Sequence, residues 1–325
     1  MRYVVGIDGG GTKTRLVISD EQGAVMADVS GGCTNHQMTG REETRRILAE
    51  LYAQAKKQSE VADREIALVY AGLAGADLES DFVLLGEVMK EVFGETKAVL
   101  VNDTWPILRS GTPGNWGAAV ICGTGSNAAV IHPTGEKRIL RALGYVLGGA
   151  GGGAEMAMTA LHWAFRADEK TAEESALTKR LPVLLGQRDM AELMERMYPD
   201  FTLQDHELSK ITPLIFELAS EGDRICQNIL LEAGTELGEM LGGLLKKTGM
   251  EEFEVPVVLG GSVMGGNNPL MRDQLRTTIH RFAPKAEFLF PQIAPVGGAV
   301  LLALEELGIG TEPAIHRRFM DTLSL

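Results

Sequence analysis

Basic charge is in short supply. Lysine and arginine number 31 against 44 aspartates and glutamates, a formal net charge of −13 over 325 residues. Nucleic acid and anionic membrane are held mainly through Lys and Arg, so neither is an expected partner. Cysteine is scarce as well. Cys33, Cys122 and Cys226 stand far apart, which is neither a disulfide framework nor a metal knuckle, and the expected compartment is a reducing cytoplasm. No apolar run approaches the roughly 20 residues that span a bilayer. Strand-like residues begin at Tyr3, which leaves no room for a signal peptide. No low-complexity tail is evident. The common nucleotide loops are missing too: G-x-x-x-x-G-K followed by Ser or Thr does not occur, and G-x-G-x-x-G would need a helix after the turn.

What is present is organised around Val4-Val5-Gly6-Ile7-Asp8-Gly9-Gly10-Gly11-Thr12-Lys13-Thr14. Tyr3 to Ile7 reads as a buried strand that ends in one carboxylate and three glycines. Arg15 to Ile18 resumes as a second strand, so the glycines form the turn of a hairpin. Such a turn aims several backbone N–H groups one way, a concavity suited to phosphate oxygens. Thr12 and Thr14 add hydroxyl donors, and Asp8 can hold magnesium through water. Hydrophobic residues make up 45% of the chain, enough for ordinary cores, and the length suggests two domains.

A third strand, Ala24 to Val29, precedes a polar loop, Ser30 to His36, in which Asn35 and His36 are candidates to bind a polyhydroxylated ligand. Arg41 to Lys57 has helical spacing, Ile66 to Leu73 reads as a strand, and Asp77 as the cap of a helix over Glu79 to Phe93. Ala98 to Val101 is a short strand that ends in Asn102-Asp103-Thr104, with a short helix over Trp105 to Arg109. Asp103 is thus a second carboxylate at a strand C-terminus, the edge where open α/β sheets bind ligands, and it suits a general base or a helix cap.

Gly111 to Gly117 is a turn cluster and the expected domain boundary. Ala118 to Cys122, the turn Gly123-Thr124-Gly125-Ser126-Asn127, Ala128 to His132 and Arg138 to Ala142 repeat the opening pattern of strand, glycine–hydroxyl turn and strands. Gly148 to Gly153 reads as a linker, a hinge or a helix start. Glu155 to Phe165 looks helical, and 169–248 mostly helical, interrupted by Pro182, Gly186 and Pro199. Val255 to Leu259 is a strand running into Gly260-Gly261, Asn267 to Phe282 a helix, Ala286 to Phe290 a strand, and a last helix opens at Pro295 and reaches about Leu307. The small residues of its first turn would let it cross another element closely.

Five segments in this order resemble the actin, hexokinase and heat-shock-70 superfamily, in the branch of N-acetylglucosamine kinases and BadF/BadG/BcrA/BcrD-type ATPases. They are Gly6–Thr14, Val101–Thr104, Gly123–Asn127, Leu259–Gly265 and Pro295–Leu301, together with Thr34-Asn35-His36, which the kinase members carry. The resemblance implies an α/β chain of two RNase-H-like domains closing over a central cleft. The expected bounds are 1–115, 116–290 and a C-terminal helix in 291–325 packing back on the first domain. It implies ATP and magnesium, and a sugar or amino-sugar acceptor. By it, Gly10, Gly11, Thr12 and Lys13 bind phosphates from one turn, and Gly123, Thr124 and Gly125 from the other, while Gly260 and Gly261 lie near adenosine. Asn35, His36, Ser126 and Gly144 would contact the acceptor, Asp103 would be its base, and Asp8 would organise the metal. A homodimer is compatible with it. Amino-sugar kinases of this type carry Trp-Gly and then Gly-Asp-Glu-Gly-Ser, where this chain has Leu143-Gly144 and Gly148-Gly149-Ala150-Gly151-Gly152. Loss of that Asp favours an acceptor whose corresponding group is bulkier or anionic. An ATPase coupled to a partner protein and a catalytically impaired sugar-binding regulator are the alternatives. The spacing of the cysteines argues against an iron–sulfur role.

Overall fold

A computed structural model describes all residues except Met1, Pro113, Ala142, Phe201, Thr202, Thr311, Glu312, Ser324 and Leu325, and omits the side chains of Asp205 and Pro313. In chain order the elements are β1 (Tyr3–Gly9), β2 (Thr14–Asp20), β3 (Val25–Gly31), α1 (His36–Thr39), α2 (Arg41–Ser59), β4 (Ile66–Leu73), α3 (Glu79–Phe93), β5 (Ala98–Asn102) and α4 (Thr104–Gly111). There follow β6 (Gly117–Cys122), β7 (Ser126–Ile131), β8 (Lys137–Ile139), α5 (Gly153–Asp168), α6 (Leu177–Leu184), α7 (Met190–Met197), α8 (Asp205–Ser220) and α9 (Arg224–Lys247). The chain closes with β9 (Pro256–Gly260), α10 (Leu270–Phe282), β10 (Glu287–Leu289), α11 (Pro295–Glu306) and α12 (Pro313–Thr322).

The chain forms two compact units, Met1–Gly117 with Leu289–Leu325, and Ala118–Phe288. Each holds a five-stranded sheet, in the orders β3-β2-β1-β4-β5 and β8-β7-β6-β9-β10. The two orders are the same topology, and this gives the repeat read from the glycine–hydroxyl turns a structural counterpart. In the first unit β1–β2 and β2–β3 are antiparallel, whereas β1–β4 and β4–β5 are parallel. In the second, β7–β8 is antiparallel and β6–β9 parallel. The fold is therefore α/β, with mixed sheets.

Val4, Val5 and Ile7 are fully buried, as a strand covered on both faces requires. One face packs on α2, through Ile47, Leu48, Leu51 and Tyr52, and on α3, through Leu85, Val88 and Met89. The other face receives α11. A Cβ at Gly6 would stand 2.6 Å from Val300 Cγ2 and 2.9 Å from the Val296 carbonyl. A Cβ at Gly298 would overlap the Pro106 carbonyl of α4. Glycine at these two positions is what lets the helix cross strand and helix at backbone contact.

Several boundaries differ from the sequence reading. The strand over Arg138–Ala142 is only Lys137–Ile139, and Ala142 lies outside the described residues, as does Pro113 of the boundary turn. Pro182 interrupts nothing and lies inside α6, and Pro213 likewise lies inside α8. The helix expected from Asn267 starts at Leu270, because Asn268 Oδ1 accepts the Leu270 amide at 3.0 Å and so sets the start. The polar loop ends in a helical turn: Asn35 is the N-cap of α1 and its Oδ1 accepts the Gln37 amide at 3.0 Å. Helix α12 was not expected, since His316, Arg317 and Arg318 make its window polar. Phe319 and Leu323 are nevertheless fully buried, and the Ala294 amide donates to the Leu323 carbonyl at 2.8 Å. No helix among the described residues is long and apolar enough to cross a membrane.

Candidate functional site

The first unit gathers its chemistry at the C-terminal ends of three adjacent strands, β1, β4 and β5. Asp8 lies next to the last residue of β1, Asp77 follows β4 by a short turn, and Asp103 follows β5 directly. The β1–β2 turn closes through one bond, from the Gly10 amide to the Lys13 carbonyl at 2.9 Å. Among the described residues the amides of Gly11, Thr12 and Lys13 have no backbone acceptor, and Thr12 and Lys13 are exposed. That is an anion-receptive turn. The Thr14 hydroxyl is spent elsewhere, on buried Thr34 Oγ1 at 2.8 Å.

Burial pushes Asp8 up to about 6, against the pull of Lys13 and Arg15. Burial, then the neighbouring charges of Asp8 and Asp77, push Asp103 up to about 7, opposed by the amides of residues 103 and 104. Asp103 stands at the N-cap position of α4 but its carboxylate makes no capping bond. Asn102 Oδ1 takes the Thr104 amide at 3.0 Å instead, which leaves the Asp103 carboxylate for other partners.

Asp77 is not the cap of α3. That position belongs to Leu78, and the Leu78 amide donates to Asp81 Oδ2 at 2.8 Å. Asp77 Oδ1 instead accepts from Asn102 Nδ2 at 2.8 Å, while Gln37 Nε2 donates to the Gly75 carbonyl at 3.3 Å. Burial and Asp81 raise its pKa. The His36 side chain is largely buried, with Nε2 3.1 Å from Asp81 Oδ1 and with Nδ1 lacking a partner among the described residues. Asn35 Oδ1 is used by the cap of α1, and among the described residues its Nδ2 has no partner.

In the second unit the β6–β7 turn repeats the first. The Gly123 amide donates to the Gly125 carbonyl at 2.8 Å. The start of α5 is bonded onto it, Gly153 N to Gly123 O and Ala154 N to Thr124 O, each at 2.9 Å. The Gly148–Gly153 run is therefore a helix start, with Gly152 as N-cap. A Cβ at Gly152 would stand 3.0 Å from Gly125 Cα, and one at Gly153 would stand 2.9 Å from the Gly123 carbonyl. Ser126 Oγ donates to the Ala150 carbonyl, and the Gly151 amide to Glu155 Oε2 at 3.0 Å.

Thr124 separates two cavities of this unit. One, of about 920 Å³, is walled by Gly123, Thr124, Thr212, Pro213, Phe216, Val263 and Asn267. The other, of about 680 Å³, is lined by Thr124, Gly125, Ser126, Gly144, Gly149 and Glu155, with Glu232 and Glu236 from α9. Burial and the charge of Glu232 raise the pKa of Glu155, and burial with the charges of Glu155, Glu232 and Glu239 raises that of Glu236. The cavity at Gly149 is thus acidic although the Asp of the amino-sugar kinases is absent from it.

The expected residues fall into two sets. Asp8, Gly10, Gly11, Thr12, Lys13, Asn35, His36 and Asp103 lie in the first unit, and Gly123, Thr124, Gly125, Ser126 and Gly144 in the second. Gly260 ends β9, and Gly261, at φ +94°, packs on the Cys122 backbone, while Ser262, Val263 and Gly266 line the larger cavity. Sequence reasoning read Asp77 as a helix cap rather than a ligand, although it is a carboxylate after a third strand end and the cap position belongs to Leu78. It also missed the wall from α8, for which the sequence offered none.

The BadF/BadG/BcrA/BcrD ATPase family pattern matches residues 5–303. The chain belongs to this family, and use of ATP follows from that membership. It is 29% identical over 311 residues to an N-acetyl-D-glucosamine kinase of Dictyostelium discoideum, covering 92% of this chain and 97% of that protein. It is 26% identical over 306 residues to an N-acetylmuramic acid/N-acetylglucosamine kinase of Clostridium acetobutylicum, covering 94% and 99%. A crystal structure from Chromobacterium violaceum, provisionally named an N-acetylglucosamine kinase, is similar in fold, with a TM-score of 0.75, 23% identity and coverage of 93% of this chain and 99% of that one.

Proposed function

We propose that this protein is an ATP-dependent kinase that phosphorylates a hydroxyl of a sugar or amino sugar. The observation that carries this reading is Asp103, a carboxylate at a parallel strand end that burial and two like charges push up to about 7. A general base works best when its pKa lies near the working pH. The kinases for N-acetylglucosamine and N-acetylmuramic acid among its relatives support the acceptor class.

Each residue then has a task. Asp103 takes the proton from the acceptor hydroxyl as that oxygen attacks the γ-phosphorus, and the P–O bond to the ADP oxygen breaks. Asn35 Nδ2, lacking a protein partner among the described residues, donates to another acceptor hydroxyl. His36, buried against Asp81, holds the loop that carries Asn35. The amides of Gly11, Thr12 and Lys13 and the Thr12 hydroxyl receive phosphate oxygens, as do the Gly123–Gly125 turn and Thr124. The larger cavity of the second unit, with Phe216 and Pro213 as apolar walls and Asn267 as a polar one, takes the adenosine. Asp8 fits magnesium as a hard oxygen at the strand end, with burial raising its pKa and no cation bonded to it among the described residues. Bound there, the ion supplies neutralisation of phosphate charge, which with positioning is the main protein-held contribution to phosphoryl transfer.

The test is ADP release from Mg-ATP with and without N-acetylglucosamine, glucosamine, glucose and N-acetylmuramic acid, with mass spectrometry of the sugar. The kinase reading expects ADP release to depend on one of the sugars and a phosphosugar to form. ATP consumption at one rate regardless of sugar would replace it with a partner-coupled ATPase, and no consumption with any sugar would leave a sugar-binding regulator.

A further inference from the structure

Asp77 is a half-buried carboxylate that forms no ion pair with Lys or Arg among the described residues. The groups that act on it are Asp81, Gln37, His36 and Asn102, with no Lys or Arg among them. One neutral amide side chain, that of Asn102, bonds it, whereas an ionised carboxylate offers about four acceptor positions. Capacity is therefore left over, at a place where an unfilled acceptor is costly.

Its position decides what fills that capacity. The Gln37 backbone N–H donates to Asn35 Oδ1 at 3.0 Å, and its Nε2 donates to the carbonyl of Gly75, two residues before Asp77, at 3.3 Å. Asn102, which bonds it from the other side, is the residue before Asp103 and holds the Thr104 amide. The loop of Asp77 is thus tied through Gln37 to the Asn35 cap, and the Asp77 carboxylate is tied to the residue before Asp103, so it lies close to both residues assigned above to the acceptor. The loop that carries it is fixed with unusual thoroughness. Asp81 accepts from the amides of Asp77 and Leu78, at 3.3 and 2.8 Å, and from His36 Nε2 at 3.1 Å. A Cβ at Gly75, two residues earlier, would overlap Asn35 Oδ1 and lie 3.3 Å from the unpartnered His36 Nδ1. A loop locked onto the Asn35 helix cap holds the Asp77 carboxylate in a set position, which is what recognition of a fixed hydroxyl requires.

We propose that Asp77 is an acceptor-binding residue that takes a hydrogen bond from a hydroxyl other than the one phosphorylated. This rests on the kinase reading above. It makes the acceptor a polyol with a donor beside the reacting oxygen, and it adds discrimination against analogues that lack that donor.

The experiment compares wild type and Asp77→Ala on N-acetylglucosamine and on its 3-deoxy and 4-deoxy analogues, or on the glucosamine set where that is the sugar turned over. Asp77→Ala should raise the acceptor KM by about 10- to 100-fold, the usual loss for a hydrogen bond to a charged group, with KM for Mg-ATP and the magnesium requirement unchanged. One deoxy analogue should lose nothing further in the variant, while the other keeps its full penalty. Gln37→Ala, which removes one tether at the surface, should move the acceptor KM the same way by less and serves where Asp77→Ala melts early. Equal further losses on both analogues, or a shifted magnesium requirement with an unchanged acceptor KM, would overturn the inference and leave the kinase reading standing. Absence of sugar phosphorylation by wild type would overturn both.

Discussion

Replacing Asp103 by asparagine should harm turnover and help stability, in a pH-dependent way. In the folded chain burial and the charges of Asp8 and Asp77 move this carboxylate from the ordinary 3.8 to about 7. Between those values the folded state holds a proton that the unfolded state has released. The stability contributed is full below about pH 4 and is lost as pH rises through about 7. The gap corresponds to at most about 4 kcal/mol, a ceiling because Asp8 and Asp77 share the load. Asp103→Asn keeps the shape and removes the ionisation. Its Tm, measured without nucleotide or metal, should match wild type near pH 4 and exceed it near pH 8 by up to about 10 °C. Turnover should fall by about 10²- to 10⁴-fold, the usual worth of a general base, with nucleotide binding retained. The acid limb of wild-type kcat/KM should lie near 7, where the carboxylate ionises. Equal melting at both pH values would refute the buried charge, and turnover within a factor of about three would remove Asp103 from the chemistry.

Asp8→Asn should raise the magnesium concentration for half-maximal rate; a lower rate at unchanged magnesium dependence would make Asp8 a support of the Gly9–Gly11 turn. Gly298→Ala places a Cβ against the Pro106 carbonyl, where neither backbone can yield, and should cost about 1–3 kcal/mol, read as a lower denaturation midpoint. An unchanged midpoint would mean that α11 does not pack at backbone contact. Gly149→Asp with Ala150→Glu should improve kcat/KM for N-acetylglucosamine relative to N-acetylmuramic acid, because more negative charge enters a cavity that already holds Glu155, Glu232 and Glu236. No change in that ratio would show that position 149 does not select the acceptor.

Local chemistry was enough to find the two glycine–hydroxyl turns, the carboxylates at residues 8 and 103, and α3 to the residue, since apolar runs and glycines act over a few neighbours. The matching strand orders of the two sheets follow from that repeated local pattern. Tertiary structure alone decided the rest. Pro182 and Pro213 stay inside helices because packing outweighs propensity there. Helix α12 exists because Phe319 finds a buried place that its polar neighbours do not suggest. The Gly148–Gly153 run ends as a helix start because two carbonyls of a distant turn bond the first amides of α5 and leave no room for side chains at Gly152 and Gly153. The three acids act on one another because parallel pairing puts the ends of β1, β4 and β5 side by side, and charges about 70 and 25 residues apart in sequence interact only once that sheet has formed.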